Sequence, residues 1–185
     1  MCGVIYMEKR VANIIASTAG GTASKGSITY KLSLPSSWIK EMGLDENNTE
    51  LELCFDGKSI NVSKKPSLLE FIKSKKQLGH ELLMLYYYNE DILCTTLCAD
   101  YTDQTISFEN SVDDVLSTIF GNNKLPQWSD YLHFLEDRCI PRGRDGLRWY
   151  LDAIGTDEYE PLEIIKKTKG RMAEDRQWIK VEVLK

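Results

Sequence analysis

The stretch that decides the fold is KGSITYKLSLPSSWIKEMGLDENNTELELCFDGKSINVSKK, which covers residues 25–65. Ahead of Pro35, apolar and polar residues alternate, which is typical of a half-buried strand. Pro35 ends that strand because proline has no backbone N–H to donate. A short helix is predicted next, with Ser36 or Ser37 as its N-cap and Gly43 at its end.

A β-hairpin follows this short helix. Apolar residues alternate with polar ones over 51–55 and again over 60–62, and Asp56-Gly57 lies between the two runs. An Asp-Gly pair in that position is a strong signal for a two-residue hairpin turn. The predicted order is therefore strand, short helix, strand, strand. About forty residues of such short elements bury too little apolar surface to offset the conformational entropy that they lose, so the segment is expected to pack on more protein.

This order of elements resembles the swapped-hairpin DNA-binding domain of the AbrB/MazE/SpoVT type. The features that match are Gly26-Ser27, Leu34-Pro35, Met42-Gly43-Leu44 and Lys64-Lys65-Pro66. The resemblance implies a domain over residues 12–66 in which two chains interleave their hairpins into a barrel-like homodimer. It also implies DNA contacts from the first loop, the strand and the helix. The candidate DNA-binding residues are Lys25, Ser27, Thr29, Lys31, Ser37 and Lys40.

The basic signature of this segment is weak. In the resemblance, Lys31 stands where the family has an Arg, and lysine does not make the bidentate guanine contact of arginine. Residues 1–66 contain eight Lys/Arg and seven Asp/Glu, a net charge of +1, whereas residues 67–185 contain fifteen and twenty-one, a net charge of −6. DNA binding is therefore expected to be weak per domain. The acidic part either faces a basic protein surface or is an ordinary solvated surface.

Residues 67–185 are predicted to form a second α+β domain. Ser67 can cap a helix, and three strands between residues 81 and 110 are predicted to form an antiparallel meander. The region 111–170 is predicted to be helical. Its helices begin near Ser111, Ser129, Arg144 and Pro161. The final WIKVEVL, from Trp178, is expected to be a last strand or a docked extended segment.

A run of three tyrosines lies in the first strand of this meander. Strand geometry places Tyr86 and Tyr88 on one face and Tyr87 on the other. Paired aromatic rings on a strand can stack nucleobases. We favour a core or interface role for this face.

Two phrases resemble the C-terminal part of uncharacterised proteins carried by bacterial phages, plasmids and integrative elements. They are FLEDRCIPR at 134–142 and KTKGRMAED at 167–175. Arginines and carboxylates are mixed in both. The arginines either grip a phosphate or an acidic partner, or form an ion-pair network that staples the helices together. The candidate partner-binding residues are Arg138, Arg142, Arg144, Arg171, Arg176 and Trp178.

Catalytic and cofactor motifs are missing from the sequence. His80 and His133 share no motif spacing, and Cys94 and Cys98 lack the further ligands of a zinc site. There is no phosphate-binding loop and no nucleophile elbow. We therefore expect a protein that is not an enzyme and has no cofactor or metal. Five cysteines, no signal peptide and no membrane span predict a reduced protein of the cytoplasm.

Two functions remain open at this point. The first is a dimeric DNA-binding transcription regulator or antitoxin-like protein, whose residues 67–185 bind an unidentified protein partner. The alternative is an inhibitor encoded by a mobile element, which binds a toxin or a nucleic-acid-processing defence enzyme such as a CRISPR effector. In that case residues 12–66 serve dimerisation.

Overall fold

The computed structural model describes residues 8–18, 28–46 and 49–184. The chain divides into two compact units, Met1–Lys65 and Pro66–Lys185. The sequence prediction places the division after residue 66. Both units combine helices with antiparallel strands, which confirms the α+β class.

The first unit contains two separate hairpins and one short helix. Its elements are β1 (Ile14–Thr18), β2 (Ile28–Leu32), α1 (Ser36–Glu41), β3 (Leu51–Phe55) and β4 (Ile60–Lys64). Strand β1 pairs with β2, and β3 pairs with β4, both antiparallel. The order of β2, α1, β3 and β4 confirms the sequence prediction. The described residues form no closed barrel, and the interleaved barrel dimer stays a prediction.

Three local features of this unit differ from the sequence prediction. Strand β1 was not predicted, because its five residues show no clear alternation and the strand is defined by its pairing with β2. The N-cap of α1 is Pro35 and no side chain caps it, because both serines lie inside the helix. The strand ladder ends at Phe55 and Ile60, and the Asp56 N–H donates to the Ser59 carbonyl oxygen at 3.3 Å, so the two residues at the tip of the hairpin are Gly57-Lys58 rather than Asp56-Gly57. The Asp56 carboxylate accepts the N–H groups of Lys58 and Ser59, each at 2.8 Å, and this local bonding holds the turn.

The second unit is built on one antiparallel sheet. Its strands are β5 (Leu82–Asn89), β6 (Ile92–Asp100), β7 (Thr105–Asn110) and β8 (Gln177–Leu184), in the order β7-β6-β5-β8. The meander β5–β6–β7 is confirmed. Of the two alternatives for the segment from Trp178, the last strand is confirmed, because β8 pairs with the other edge of β5 along its whole length. Local sequence could not show that pairing, because the two strands are far apart in the chain.

Four helices accompany this sheet: α2 (Leu68–Gln77), α3 (Trp128–Asp137), α4 (Leu147–Ile154) and α5 (Pro161–Thr168). The helices predicted near residues 129, 144 and 161 are confirmed. The helix predicted from Ser111 is wrong, because only a 3₁₀ turn forms, over Val115–Ser117. The Asp114 carboxylate accepts the Leu116 N–H there. Such local side-chain bonds compete with a continuing helix.

The sheet has a hydrophobic core on each face. On one face, Leu83, Leu85 and Tyr87 of β5 pack against the apolar sides of α3, α4 and α5. On the other face, Leu82 and Met84 pack against α2. Tyr88 and Trp178, farther along this second face, do not belong to the cluster that α2 covers.

Candidate functional site

Both hairpins of the first unit expose their apolar faces to solvent. The pairing registers place on these faces Ile14, Ile28, Tyr30 and Leu32 of one hairpin and Leu51, Leu53, Phe55, Ile60 and Val62 of the other. Tyr30 is 61% exposed, Leu53 68% and Phe55 71%. Within the described residues of this unit, only Leu44 is fully buried. A single copy of the unit thus leaves most of its apolar surface in water, where it is unfavourable.

The candidate DNA-binding residues that the structure describes lie on polar surfaces. Thr29 and Lys31 are exposed on the face of β2 opposite Tyr30. Ser37 and Lys40 are exposed and three residues apart, so they share one side of α1. Lys25 and Ser27 lie outside the described residues.

A basic residue that the sequence prediction missed lies beside α1. The indole N–H of Trp38 donates to Glu8 Oε2 at 2.7 Å. Arg10 pairs with Glu8 at 2.9 Å and lies 5.6 Å from the Trp38 ring. Hydrogen bonds from Trp38 and then Arg10 lower the pKa of Glu8. Glu8 and Arg10 precede the predicted start of the domain at residue 12, and no motif in the sequence points to them.

Among the predicted partner-binding residues, Arg138 is internal. Its side chain is buried and donates to the carbonyl oxygens of Gly170 at 2.7 Å and Gln177 at 3.0 Å. It also forms an ion pair with Asp175 at 2.5 Å, and this hydrogen bond lowers the pKa of the Asp175 carboxyl. Arg138 therefore staples the end of α3 to the segment before β8. It does not lie on an accessible surface, as a partner contact requires.

The other predicted arginines are exposed. Arg142 pairs with Glu136 at 3.1 Å and lies 4.3 Å from the Tyr159 ring, and Arg176 pairs with Glu90. Arg171 lies 5.4 Å from the ring of Trp178. The structure thus brings Arg171 and Trp178 together.

Arg144 lines an open pocket of about 530 Å³ at the start of α4. The pocket is lined by Ile140, Arg144, Asp145, Gly146, Trp149 and Tyr150. Trp149 is 81% exposed, and the sequence prediction did not select it as a partner contact. A signal was present in the sequence, because Trp149 falls outside the stripe that helical spacing gives to Leu147, Tyr150, Leu151 and Ile154. Large exposed aromatic residues beside arginine are frequent in protein interfaces.

A buried polar cluster lies at the end of β6. The fully buried Asp100 accepts hydrogen bonds from His80 Nδ1 at 2.8 Å and Lys75 Nζ at 2.9 Å. Burial alone would raise the pKa of Asp100, but these two bonds and the N–H groups of Asp103 and Thr102 lower it to about 2.

The same cluster brings together three side chains of the types that bind metal ions. Within the described residues, His80, Asp100 and Asp103 form the one group whose ligand atoms lie within 4.8 Å of one another. The Lys75 ammonium already pairs with both carboxylates, at 2.9 and 2.6 Å. The cluster therefore serves as an internal salt bridge. His133 is exposed on α3, away from this group in the fold.

Comparison with family models, with curated proteins and with solved structures found no match to this chain. The resemblance to swapped-hairpin domains therefore stays an expectation. Among the described residues, no helix is both long enough and apolar enough to cross a membrane.

Proposed function

We propose that this protein is a dimeric DNA-binding regulator of the antitoxin-like kind, whose second unit binds a protein partner. The observation that carries the proposal is the pair of open apolar faces on the two hairpins of the first unit. A face that exposes more than half of Leu53, Phe55 and Ile60 needs a partner surface of similar shape and polarity.

A second copy of the same unit supplies such a surface. It presents the same two apolar faces, and interleaving the hairpins of two chains would bury them all at once. Each large apolar side chain that leaves water contributes about 1.5–3 kcal/mol. Several such side chains per chain would offset the cost of association.

The polar faces of the hairpin and helix would remain outside this apolar contact. Thr29, Lys31, Ser37 and Lys40 lie on them, where they can contact DNA phosphates. A dimer doubles the number of these lysines, which supports binding despite the small number per chain. Because lysine acts mainly through phosphate charge, the affinity should fall steeply as salt rises.

The Trp149 pocket supports the partner-binding half of the proposal. An exposed tryptophan beside Arg144 combines the two residue types that most often dominate the binding energy of an interface. An acidic partner surface with an apolar recess would suit this chemistry.

A gel-shift and light-scattering experiment tests the proposal. The full-length chain is mixed at low salt with duplex DNA from upstream of its own gene, as wild type, as Lys31→Glu/Lys40→Glu and as the control Lys58→Glu. Lys58 is exposed in the loop that joins β3 and β4, and so belongs neither to β2 nor to α1. We expect a dimer for all three proteins, and a DNA shift for wild type and Lys58→Glu only. A wild-type dimer that shifts no DNA would contradict the regulator and favour the inhibitor, in which the first unit only pairs chains.

A further inference from the structure

Three aromatic rings follow one another along the second face of the sheet. Tyr86 packs at the edge of the cluster that α2 covers, and Tyr88 and Trp178 lie beyond that cluster. The register of β5 and β8 places Tyr86 opposite Lys180 and Tyr88 opposite Trp178. The Tyr88 and Trp178 rings stack with centroids 4.3 Å apart and planes 8° apart. All three rings are half-buried and so still reach solvent. We call Tyr86, Tyr88 and Trp178 the sheet platform.

Strand pairing and a side-chain hydrogen bond hold the sheet platform in place. Its rings stand on a strand pair that is hydrogen-bonded along its whole length. The indole N–H of Trp178 donates to the Glu90 carbonyl oxygen at 2.7 Å, which fixes the orientation of the ring. A ligand would therefore meet a preformed surface and would not have to order it.

Positive charges surround the sheet platform. Lys169 lies 5.5 Å and Arg171 5.4 Å from the Trp178 ring, and Lys180 lies 5.4 Å from the Tyr86 ring. Among the described residues, neither Lys169 nor Arg171 forms an ion pair, so their charges are available. Two carboxylates lie here as well. Glu90 pairs with Arg176, and Glu182 pairs with Lys180 and accepts a hydrogen bond from the Tyr86 hydroxyl. These four cations and two carboxylates leave an excess of positive charge beside the rings, although residues 67–185 carry a net charge of −6.

We propose that the sheet platform binds single-stranded nucleic acid. Bases would stack on the rings of Tyr88 and Tyr86, while Lys169 and Arg171 contact the adjacent phosphates. Rigid aromatic rings beside unpaired cations form the combination that recognises a strand with exposed bases, since every base has a flat face and every nucleotide a negative charge. A duplex offers no such bases, and an acidic peptide needs the cations but not the rings. This activity is separate from the duplex contact proposed for the first unit.

The test uses the full-length Lys31→Glu/Lys40→Glu chain, so that the proposed duplex surface is neutralised. Fluorescence anisotropy follows binding of a labelled oligouridylate of about ten nucleotides, within the usual range of site sizes. An abasic strand of equal length and poly-glutamate serve as probes with charge but no bases. We expect the oligouridylate to bind at least about tenfold more tightly than the abasic strand.

Three variants in that background locate the site. Tyr88→Leu should weaken oligouridylate binding about tenfold and leave abasic binding unchanged, because only stacking is lost. Arg171→Glu should weaken both and lower the salt dependence by about one to two counterions. Arg148→Glu, exposed on α4 and outside the sheet platform, is the charge control and should bind like its parent.

Equal binding of the abasic strand or of poly-glutamate would overturn the proposal, and so would unchanged affinity in Arg171→Glu. Circular dichroism checks that Tyr88→Leu is folded. If it is not, the result for Arg171→Glu, a substitution at an exposed position, decides the outcome. A missing duplex shift with intact oligouridylate binding would leave this inference standing while the regulator proposal fails.

Discussion

Arg138 shows how one side chain can hold several elements of the second unit. It bonds the Gly170 and Gln177 carbonyl oxygens and pairs with Asp175. In Arg138→Met these acceptors lose their donor while remaining largely in place, so we expect the free energy of unfolding to fall by about 3 kcal/mol. Urea denaturation followed by circular dichroism measures this loss. Arg142→Met, which breaks the exposed pair with Glu136 and the cation–π contact with Tyr159, should cost about 1 kcal/mol. Equal losses in the two variants would contradict the stapling role.

Asp100 is a single residue that makes the free energy of unfolding depend on pH. Its pKa is about 2 in the folded chain, against an ordinary value of 3.8. Because the folded-state pKa is the lower one, the stabilisation is present above about pH 4 and is lost as the pH falls towards 2. The amount at stake is on the order of 2 kcal/mol. In Asp100→Asn, stability should be lower at neutral pH and should fall less between about pH 4 and pH 2. Denaturation at several pH values measures both slopes, with the exposed Asp91→Asn as control. If the free energy of unfolding fell equally steeply with pH in wild type and Asp100→Asn, Asp100 would not be the source of the acid sensitivity.

At the scale of elements, the start of α2 illustrates a strong local signal. Ser67 accepts the Glu70 N–H while the Glu70 carboxylate accepts the Ser67 N–H at 2.9 Å, which completes a capping box. Ser67→Ala should destabilise α2 by about 1 kcal/mol. Hydrogen exchange of the amides in residues 68–77 measures this as faster exchange. Ser36→Ala is the matched control, because no side chain caps α1, and it should leave exchange in α1 nearly unchanged. Slower or unchanged exchange in α2 of Ser67→Ala would show that the box contributes nothing.

Elements with strong local signals were predictable from the sequence. The cap at Ser67, the proline at the start of α5 and the alternation of β3 and β4 act through neighbouring residues, and all are confirmed. The pairing of strands was not predictable where the partners lie far apart in the chain or show no local pattern. Strand β1 is defined by its pairing with β2, and β8 joins β5 from the far end of the chain. The helix predicted from Ser111 failed because polar side chains bond the local backbone instead: Asp114 accepts the Leu116 N–H, and the Thr118 hydroxyl donates to the Val115 carbonyl oxygen.

In the candidate sites too, features set by a local sequence pattern were predictable, and features set by contacts between distant residues were not. Alternation placed Tyr86 and Tyr88 on one face, and helical spacing placed Ser37 and Lys40 on one side of α1. The contributions of Trp178, Lys169 and Arg171 to the sheet platform depend on the pairing of β8 with β5, which no local pattern reveals. The burial of Arg138 was also hidden, because its partners lie more than thirty residues away in sequence.

At the scale of the whole molecule, the two units differ in how far each completes its own core. The second unit has a buried cluster on each face of its sheet. The first unit has one fully buried residue, Leu44, within its described part. Stability of the first unit should therefore depend on protein concentration, as it does for chains that fold together with a partner copy. The second unit should show no such dependence.

This difference makes the apolar face of β3–β4 the decisive place to test chain pairing. Leu53→Glu puts a charge among Phe55, Ile60 and Val62, so burying that face against a second chain would also bury an unpaired carboxylate. We expect light scattering to show mostly monomer for Leu53→Glu at concentrations where wild type is dimeric. Asn61→Glu adds the same charge to the opposite, polar face, next to Cys54, and should remain dimeric. Because both substitutions lie in the first unit, thermal unfolding of the second unit should be alike in both variants. If Leu53→Glu stays dimeric while Asn61→Glu dissociates, the chains pair through the polar face of β3–β4, and the pairing through apolar faces on which the proposed function depends would be contradicted.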